Sequence, residues 1–196
     1  MNEHYYSKKP TSKPRYGMIK AALLRREYKF MTASGVFSYK KVDKGTELLV
    51  KHMKAKKDDR VLDLGCGYGV IGIAVAGLAR YVVLTELNQR GARLARENLE
   101  LNGVDNAEVR NGNLYEPVEE EKFDIILCNL PISAGLKVVY EIIEGAKDHL
   151  NRDGTMQVVV RKGAKRVEEK LKEIFGNVDT LAKKGGYRVF ISRMPG

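Results

Sequence analysis

The chain has 196 residues, 43% hydrophobic and 31% charged, with a formal net charge of +10. That length suits one domain with a substantial core plus a short extension. No apolar run approaches the roughly 18 residues of a membrane span, and residues 1–9 lack the apolar stretch of a signal peptide, so a cytoplasmic chain is expected. Cys66 and Cys128 are the only cysteines and form no Cys-x-x-Cys pair, which speaks against a disulfide framework or a zinc site; both read as small apolar fillers, and no metal is expected.

The charge is uneven. Residues 1–60 carry 16 Lys and Arg against 6 Asp and Glu, whereas residues 61–196 balance at 19 of each. The same first 60 residues hold seven of the 15 aromatics: Tyr5, Tyr6, Tyr16, Tyr28, Phe30, Phe37 and Tyr39. Cations interleaved with rings suit a nucleic acid, because Lys and Arg release counterions and ring faces accept unstacked bases. A solvated basic tail beside ordinary core aromatics is the plainer alternative.

In chain order, residues 1–17 mix Lys, Pro, Ser and Tyr, and Pro10 and Pro14 interrupt any helix. The domain reading is a basic arm over 1–26 and a main domain over 27–196, opened by a hairpin and a helix within 27–56. Residues 28–31 and 36–39 flank the turn-like 32–35 and are expected to pair as the hairpin. Asp43 then caps a helix carrying Leu48, Leu49 and Met53. From residue 60 the pattern alternates: strands at 60–64, 81–86, 107–110, 123–128 and 155–160, helices at 70–79, 88–102, 135–149 and 164–175. Val138, Ile142 and Ala146 form one apolar stripe and Val167, Leu171 and Phe175 another. Gly103 and Gly154 fall where helix stops are expected. Nearly continuous apolar strands such as 123–128 fit a parallel sheet covered on both faces, a doubly wound α/β architecture. Residues 178–182 and 187–192 read as a closing antiparallel hairpin, giving a mostly parallel seven-stranded sheet. No internal repeat is visible.

Residues 61–72 carry the strongest chemical signal, an apolar strand running into Gly65, Cys66, Gly67, Tyr68 and Gly69 and then a helix. Glycines there allow φ > 0 and let the main chain lie against a ligand that a side chain would displace. Asp63 is expected at the mouth of that loop. Gly67 to Gly72 also satisfies GxGxxG, so the loop alone is compatible with a dinucleotide. Glu86 ends the next strand, where a carboxylate can accept both ribose hydroxyl hydrogens of a bound nucleoside. Asn129, Leu130, Pro131 and Ile132 follow the buried strand 123–128.

Asp63-x-Gly65-x-Gly67-x-Gly69 resembles the first motif of the S-adenosylmethionine-dependent methyltransferases, and Asn129-Leu130-Pro131-Ile132 resembles the Asn-Pro-Pro-aromatic motif of those that modify exocyclic or amide nitrogens. Two departures stand out: Leu130 replaces proline, which loosens the loop, and Ile132 replaces the stacking aromatic. With Val36-Phe37-Ser38, Asp43-Lys44-Gly45-Thr46, Leu48-Leu49, Gly135 and Lys184-Gly185-Gly186-Tyr187, the chain is similar to the ribosomal RNA guanine-2-amino methyltransferases of the small subunit, more narrowly to compact archaeal members, over about residues 27–193. The resemblance implies a Rossmann-like class I methyltransferase that moves a methyl group from S-adenosylmethionine to an RNA guanine. It implies cofactor contacts at Asp63, Gly65, Cys66, Gly67, Gly69, Glu86, Leu87, Asn113, Leu114 and Asn129, with Asn113 an amide where many relatives use Asp at the adenine. Asn129, Leu130 and Pro131 would serve catalysis, the Asn129 side-chain and Leu130 main-chain oxygens accepting the amine hydrogens. Ile132, Phe37, Lys40 and Lys41 would contact the RNA.

Three other readings remain open on the residues alone. The same chemistry could act on a protein glutamine or a DNA adenine. A nicotinamide oxidoreductase would use GxGxxG, although no Tyr-x-x-x-Lys or other hydride-transfer partner follows it in the chain. An RNA-binding module inactivated by loss of the motif's first proline would bind RNA without turnover.

Overall fold

The structure, a computed structural model, describes residues 13–195. Residues 1–12 of the expected basic arm, with Tyr5, Tyr6 and Pro10, lie outside the described residues. The first element is an antiparallel hairpin, β1 (Tyr16–Leu23) and β2 (Arg26–Ala33), with Tyr16 opposite Ala33 and Leu23 opposite Arg26. This corrects the expected pairing of 28–31 with 36–39. The turn is Leu24-Arg25, both at positive φ (49° and 64°), the backbone requirement of a type I′ turn. Asn-Gly is the usual signal for such a turn, and Leu-Arg gives none. Residues 36–41 form a turn-rich loop instead of a strand.

Helix α1 (Lys44–His52) follows, with Asp43 as its cap: Asp43 Oδ2 accepts from the Gly45 and Thr46 main-chain N–H groups. Then come β3 (Arg60–Leu64), α2 (Val70–Ala76), β4 (Tyr81–Glu86), α3 (Gln89–Leu101), β5 (Ala107–Asn111), β6 (Phe123–Asn129), α4 (Leu136–His149), β7 (Leu150–Val160), α5 (Ala164–Phe175), β8 (Asp179–Lys184) and β9 (Tyr187–Arg193). The seven strands from β3 onward form one sheet in the order β5-β4-β3-β6-β7-β9-β8. The first five of these are mutually parallel, and β9 runs antiparallel between β7 and β8. This is the expected doubly wound sheet with its antiparallel closing hairpin.

Two cores sandwich the sheet. Phe30, Leu49, Ile73, Leu94 and Leu127 are buried on the side of α1, α2, α3 and the hairpin, while Phe123, Ile142, Leu171 and Phe190 are buried on the side of α4 and α5. Each such side chain contributes about 1.5–3 kcal/mol on leaving water, which is why strands of Val, Ile and Leu alternate with amphipathic helices. Two details differ from the sequence reading. Helix α2 stops at Ala76, with Gly77 as its C-cap, not at residue 79. Gly154 lies inside β7 and ends no helix, because α4 passes directly into β7. A Cβ at 154 would stand 2.8 Å from the Asn151 carbonyl oxygen and 3.1 Å from that of Asp124, so glycine serves a close main-chain approach at the register shift between Phe123 and Ile125. Among the described residues, no helix is long and apolar enough to cross a membrane.

Candidate active site

The strand order reverses between β3 and β6, and in an open parallel sheet the crevice outside the carboxyl ends at such a switch point is where ligands bind. A cavity of about 510 Å³ occupies that position. Leu64, Ile71, Leu87, Leu114, Val138 and Ile142 supply its apolar wall, and Glu86, Asn113, Thr46, Asp43 and Asn129 its polar points. That combination of a mostly apolar hollow with few convergent polar groups suits a small organic ligand.

One half of the cavity is made of main chain. Gly65 and Gly67 leave β3 at φ 72° and 59°, and no heavy atom lies within 4 Å of where a Cβ would sit at either. Glu86, at the end of β4, lies against this loop: its Oε2 accepts from Gly67 N–H at 2.7 Å and its Oε1 from Asn88 N–H at 2.8 Å. Each oxygen keeps a lone pair for a further donor. Burial raises the Glu86 carboxyl to about 7, against the pull of the N–H groups of Asn88, Gly67 and Leu87. Thr85 Oγ1, buried and without a hydrogen-bond partner, belongs to a cavity-lining residue.

The other half is made of side chains brought from far apart in sequence. Asn129, at the tip of β6, donates through Nδ2 to Asp43 Oδ2 at 3.2 Å and to Thr46 Oγ1 at 3.0 Å. An ionised carboxylate only accepts, so Asp43 settles which end of the carboxamide faces α1. Both N–H donors are engaged there, which leaves Oδ1 as the acceptor this residue offers the cavity. Asp43 is itself fixed: Tyr187 O–H donates to its Oδ1 at 3.0 Å. Tyr187 lies so close to α1 that a Cβ on Gly45 would meet its ring at 2.6 Å.

Leu130 carries a consequence opposite to the expected loosening. Its N–H donates to the Val159 carbonyl at 3.0 Å, extending the β6–β7 pairing by a bond that proline cannot make. Its carbonyl accepts from Ile132 N–H at 2.9 Å across Pro131, whose φ of −80° and ψ of 69° are those of an inverse γ-turn. One lone pair of that carbonyl remains.

Matches to known proteins fit this arrangement. The methyltransferase small domain family matches residues 27–191. The chain belongs to that family. As a methyltransferase domain it is 38% identical over 195 residues to the uncharacterized protein YbxB of Bacillus subtilis, covering 96% of this chain and 97% of that one. It is 34% identical to the ribosomal RNA small subunit methyltransferase C of Haemophilus influenzae strain PittGG, covering 80% of this chain and 48% of the relative. Among solved structures it resembles the T. thermophilus 16S rRNA N2 G1207 methyltransferase RsmC, in complex with AdoMet and guanosine, with a TM-score of 0.85 and 30% identity over 94% of this chain and 52% of that one. The methyltransferase domain thus spans about half the length of these last two. Its class I fold is one built around S-adenosylmethionine.

The cavity brings together Gly65, Cys66, Gly67, Glu86, Leu87, Asn113, Leu114, Asn129, Leu130, Pro131 and Phe37 of the residues singled out from sequence. Four groups fall elsewhere. Asp63, expected at the loop mouth, is fully enclosed beneath it, Oδ2 accepting from Gly72 N–H at 2.8 Å and Oδ1 buried without a partner. Burial raises its carboxyl to about 7, the Gly72 N–H opposing and the Glu86 charge reinforcing. Asp63 therefore braces the loop from behind. Gly69, at φ 96°, caps α2 and does not line the cavity. Ile132 sits half-buried in a short 3-10 turn (Ile132–Ala134) off the cavity wall, and Lys40 and Lys41 are exposed on the 36–41 loop outside it. Thr46 and Tyr187 were not singled out as site residues, and Asp43 only as a helix cap. Tyr187 is 144 positions from Asp43, a separation no local pattern reports.

Proposed function

We propose that this methyltransferase uses S-adenosylmethionine to methylate the exocyclic 2-amino group of a guanine in ribosomal RNA. The observation that carries the reading is the tether of Asn129 Nδ2 to Asp43 and Thr46 at the rim of the cavity, which leaves Oδ1 as a fixed acceptor. Support for the cofactor comes from the open space before Gly65 and Gly67, from Glu86 at the end of β4 and from the size of the cavity. Gly65, Gly67 and Cys66 would hold the methionine part, Glu86 the ribose, and Leu87, Asn113 and Leu114 the adenine. When bound there, S-adenosylmethionine supplies an electrophilic methyl group.

The chain's own residues act on the amine. A guanine 2-amino nitrogen is a poor nucleophile because its lone pair is delocalised into the ring. Asn129 Oδ1 and the free lone pair of the Leu130 carbonyl accept its two hydrogens, which favours pyramidal nitrogen and returns the lone pair to it. These acceptors are in place before reaction, so they stabilise charge as it develops without reorganising. Remaining catalysis is positioning of the amine against the methyl donor within the cavity. The names of the Haemophilus and T. thermophilus relatives support the ribosomal RNA substrate, and such a substrate goes with a cytoplasmic location.

The test is transfer of labelled methyl from S-adenosylmethionine to small-subunit ribosomal RNA, followed by digestion to nucleosides. N2-methylguanosine is expected from the wild type and not from Asn129→Ala. Label in glutamine or in adenine instead of guanine, or no transfer at all, would overturn the reading.

A further inference from the structure

We propose that the outward face of the β1–β2 hairpin docks the phosphate backbone of the RNA, an inference that rests on the RNA reading above. The strand register divides the hairpin into two faces. Ile19 opposite Phe30 and Ala21 opposite Tyr28 turn toward the core, while Met18, Lys20 opposite Lys29 and Ala22 opposite Glu27 turn outward; Met31, opposite Met18, packs partly against the core beside α3. Lys20 and Lys29 are both exposed, and among the described residues neither joins an ion pair. Like charges directly opposite each other destabilise an antiparallel pair. An anion lying across both would relieve that repulsion.

The surroundings favour a polyanion with exposed bases. Residues 13–33 carry Lys13, Arg15, Lys20, Arg25, Arg26 and Lys29 against a single acid, Glu27, and the nearest acids of α3, Glu97 and Glu100, share the groove beside Tyr16 and Met31 with Arg93. Arg25 sits at the hairpin tip in the positive-φ turn. Tyr16 and Met18, each 55% exposed, share the outward face with Lys20, and such surfaces accept unstacked bases beside a cationic track.

The hairpin is also fixed relative to the cavity. Asn98 of α3 and Asn102, the C-cap one turn further on, serve the free edge of β2 as a partner strand would. Asn98 accepts from Met31 N–H at 2.6 Å and donates to the Met31 carbonyl at 2.9 Å, and Asn102 does the same for Lys29 at 3.1 and 2.8 Å. Asn98 Nδ2 donates as well to the Tyr68 carbonyl in the glycine loop at 2.9 Å. Beyond β2 the chain is held by Asn88 Nδ2 on the Gly35 carbonyl and Tyr68 O–H on the Ser38 carbonyl, and there Val36, Phe37 and Ser38 form cavity wall. A backbone gripped by the lysines is therefore registered against the pocket.

The test compares Lys20→Glu/Lys29→Glu with Lys137→Glu/Lys165→Glu, an equal charge change on exposed positions of α4 and α5 across the sheet. Affinity for small-subunit ribosomal RNA is read by filter binding across a salt series, and for S-adenosylhomocysteine by calorimetry. The hairpin pair should weaken RNA binding about ten-fold or more and lower the salt slope by about 1.4, the value for two single-strand phosphates, with S-adenosylhomocysteine affinity unchanged. The α4–α5 pair should change RNA affinity less than about two-fold. Lys20→Gln/Lys29→Gln adds a signature that misfolding cannot imitate: it should raise the melting temperature, by removing the repulsion, while weakening RNA. Equal effects of the two reversed pairs, or a hairpin variant that binds like wild type, would overturn the proposal and leave the RNA reading standing. So would reduced binding to the assembled subunit with naked RNA unaffected, which would assign the face to a ribosomal protein. A wild type that binds no RNA would overturn both.

Discussion

The two halves of the cavity are built by different means. Around the glycine loop the contacts are main chain and local, Gly67 and Asn88 N–H groups closing on Glu86 over at most 19 residues of sequence. Around Asn129 they are side chains from α1, β6 and β9, tied over 83 to 144 residues. A main-chain half tolerates variation in side chains but not in backbone geometry. A side-chain half depends on each partner and on tertiary packing that keeps them in register. The first half is accordingly expected to govern cofactor affinity and the second to govern rate, and that separation can be broken experimentally.

The largest effect is expected at Asn129. Asn129→Ala should lower kcat by about 10² to 10³, the cost of losing one fixed partner for developing charge, while S-adenosylhomocysteine affinity measured by calorimetry stays near wild type. Glu86→Ala should do the reverse, weakening S-adenosylhomocysteine by about 10- to 100-fold, the equivalent of about 1.5–3 kcal/mol for hydrogen bonds to a charged group, with kcat at saturating cofactor much less affected. Thr46→Val removes one acceptor from the Asn129 amide and should cost about five-fold in kcat, near 1 kcal/mol for a neutral hydrogen bond. Thr46→Ser should restore it. A kcat loss in Thr46→Ser equal to that in Thr46→Val would mean that packing, not the hydroxyl, matters.

The smallest effect is one of pH on stability. Asp63 and Glu86 rise on folding from 3.8 and 4.5 to about 7, chiefly through burial. The folded chain therefore binds more protons than the unfolded one between about pH 4 and 7. Their contribution to stability is complete below pH 4 and is lost as the pH rises through 7. The melting temperature should fall over that window, and Asp63→Asn, which keeps an acceptor for Gly72 N–H, should make the fall shallower.

This contrast also explains what could be read in the sequence. The parallel strands and their helices follow from short apolar runs and 3.6-residue stripes, and the glycine loop is a local backbone signal. Glu86 and Asn129 stand at strand ends, where the switch-point rule directs attention. Asp63 was misplaced because sequence gives its position along β3 but not its depth, and its side chain turns under the loop to Gly72. The hairpin was displaced because Leu24 and Arg25 adopt a turn that neither residue advertises. Leu130 looked like a weakened proline, and only the β6–β7 register reveals the bond its N–H makes to Val159. The tie from Tyr187 through Asp43 to Asn129 is tertiary in origin and has no sequence signature.

The most direct measurement is a crystal structure with S-adenosylhomocysteine and guanosine. The account predicts the guanine 2-amino nitrogen about 3 Å from Asn129 Oδ1, with Asn129 Nδ2 still on Asp43 and Thr46 and S-adenosylhomocysteine ribose on Glu86. A carboxamide released from Asp43 and Thr46, or a guanine bound with its amine away from Asn129, would contradict it.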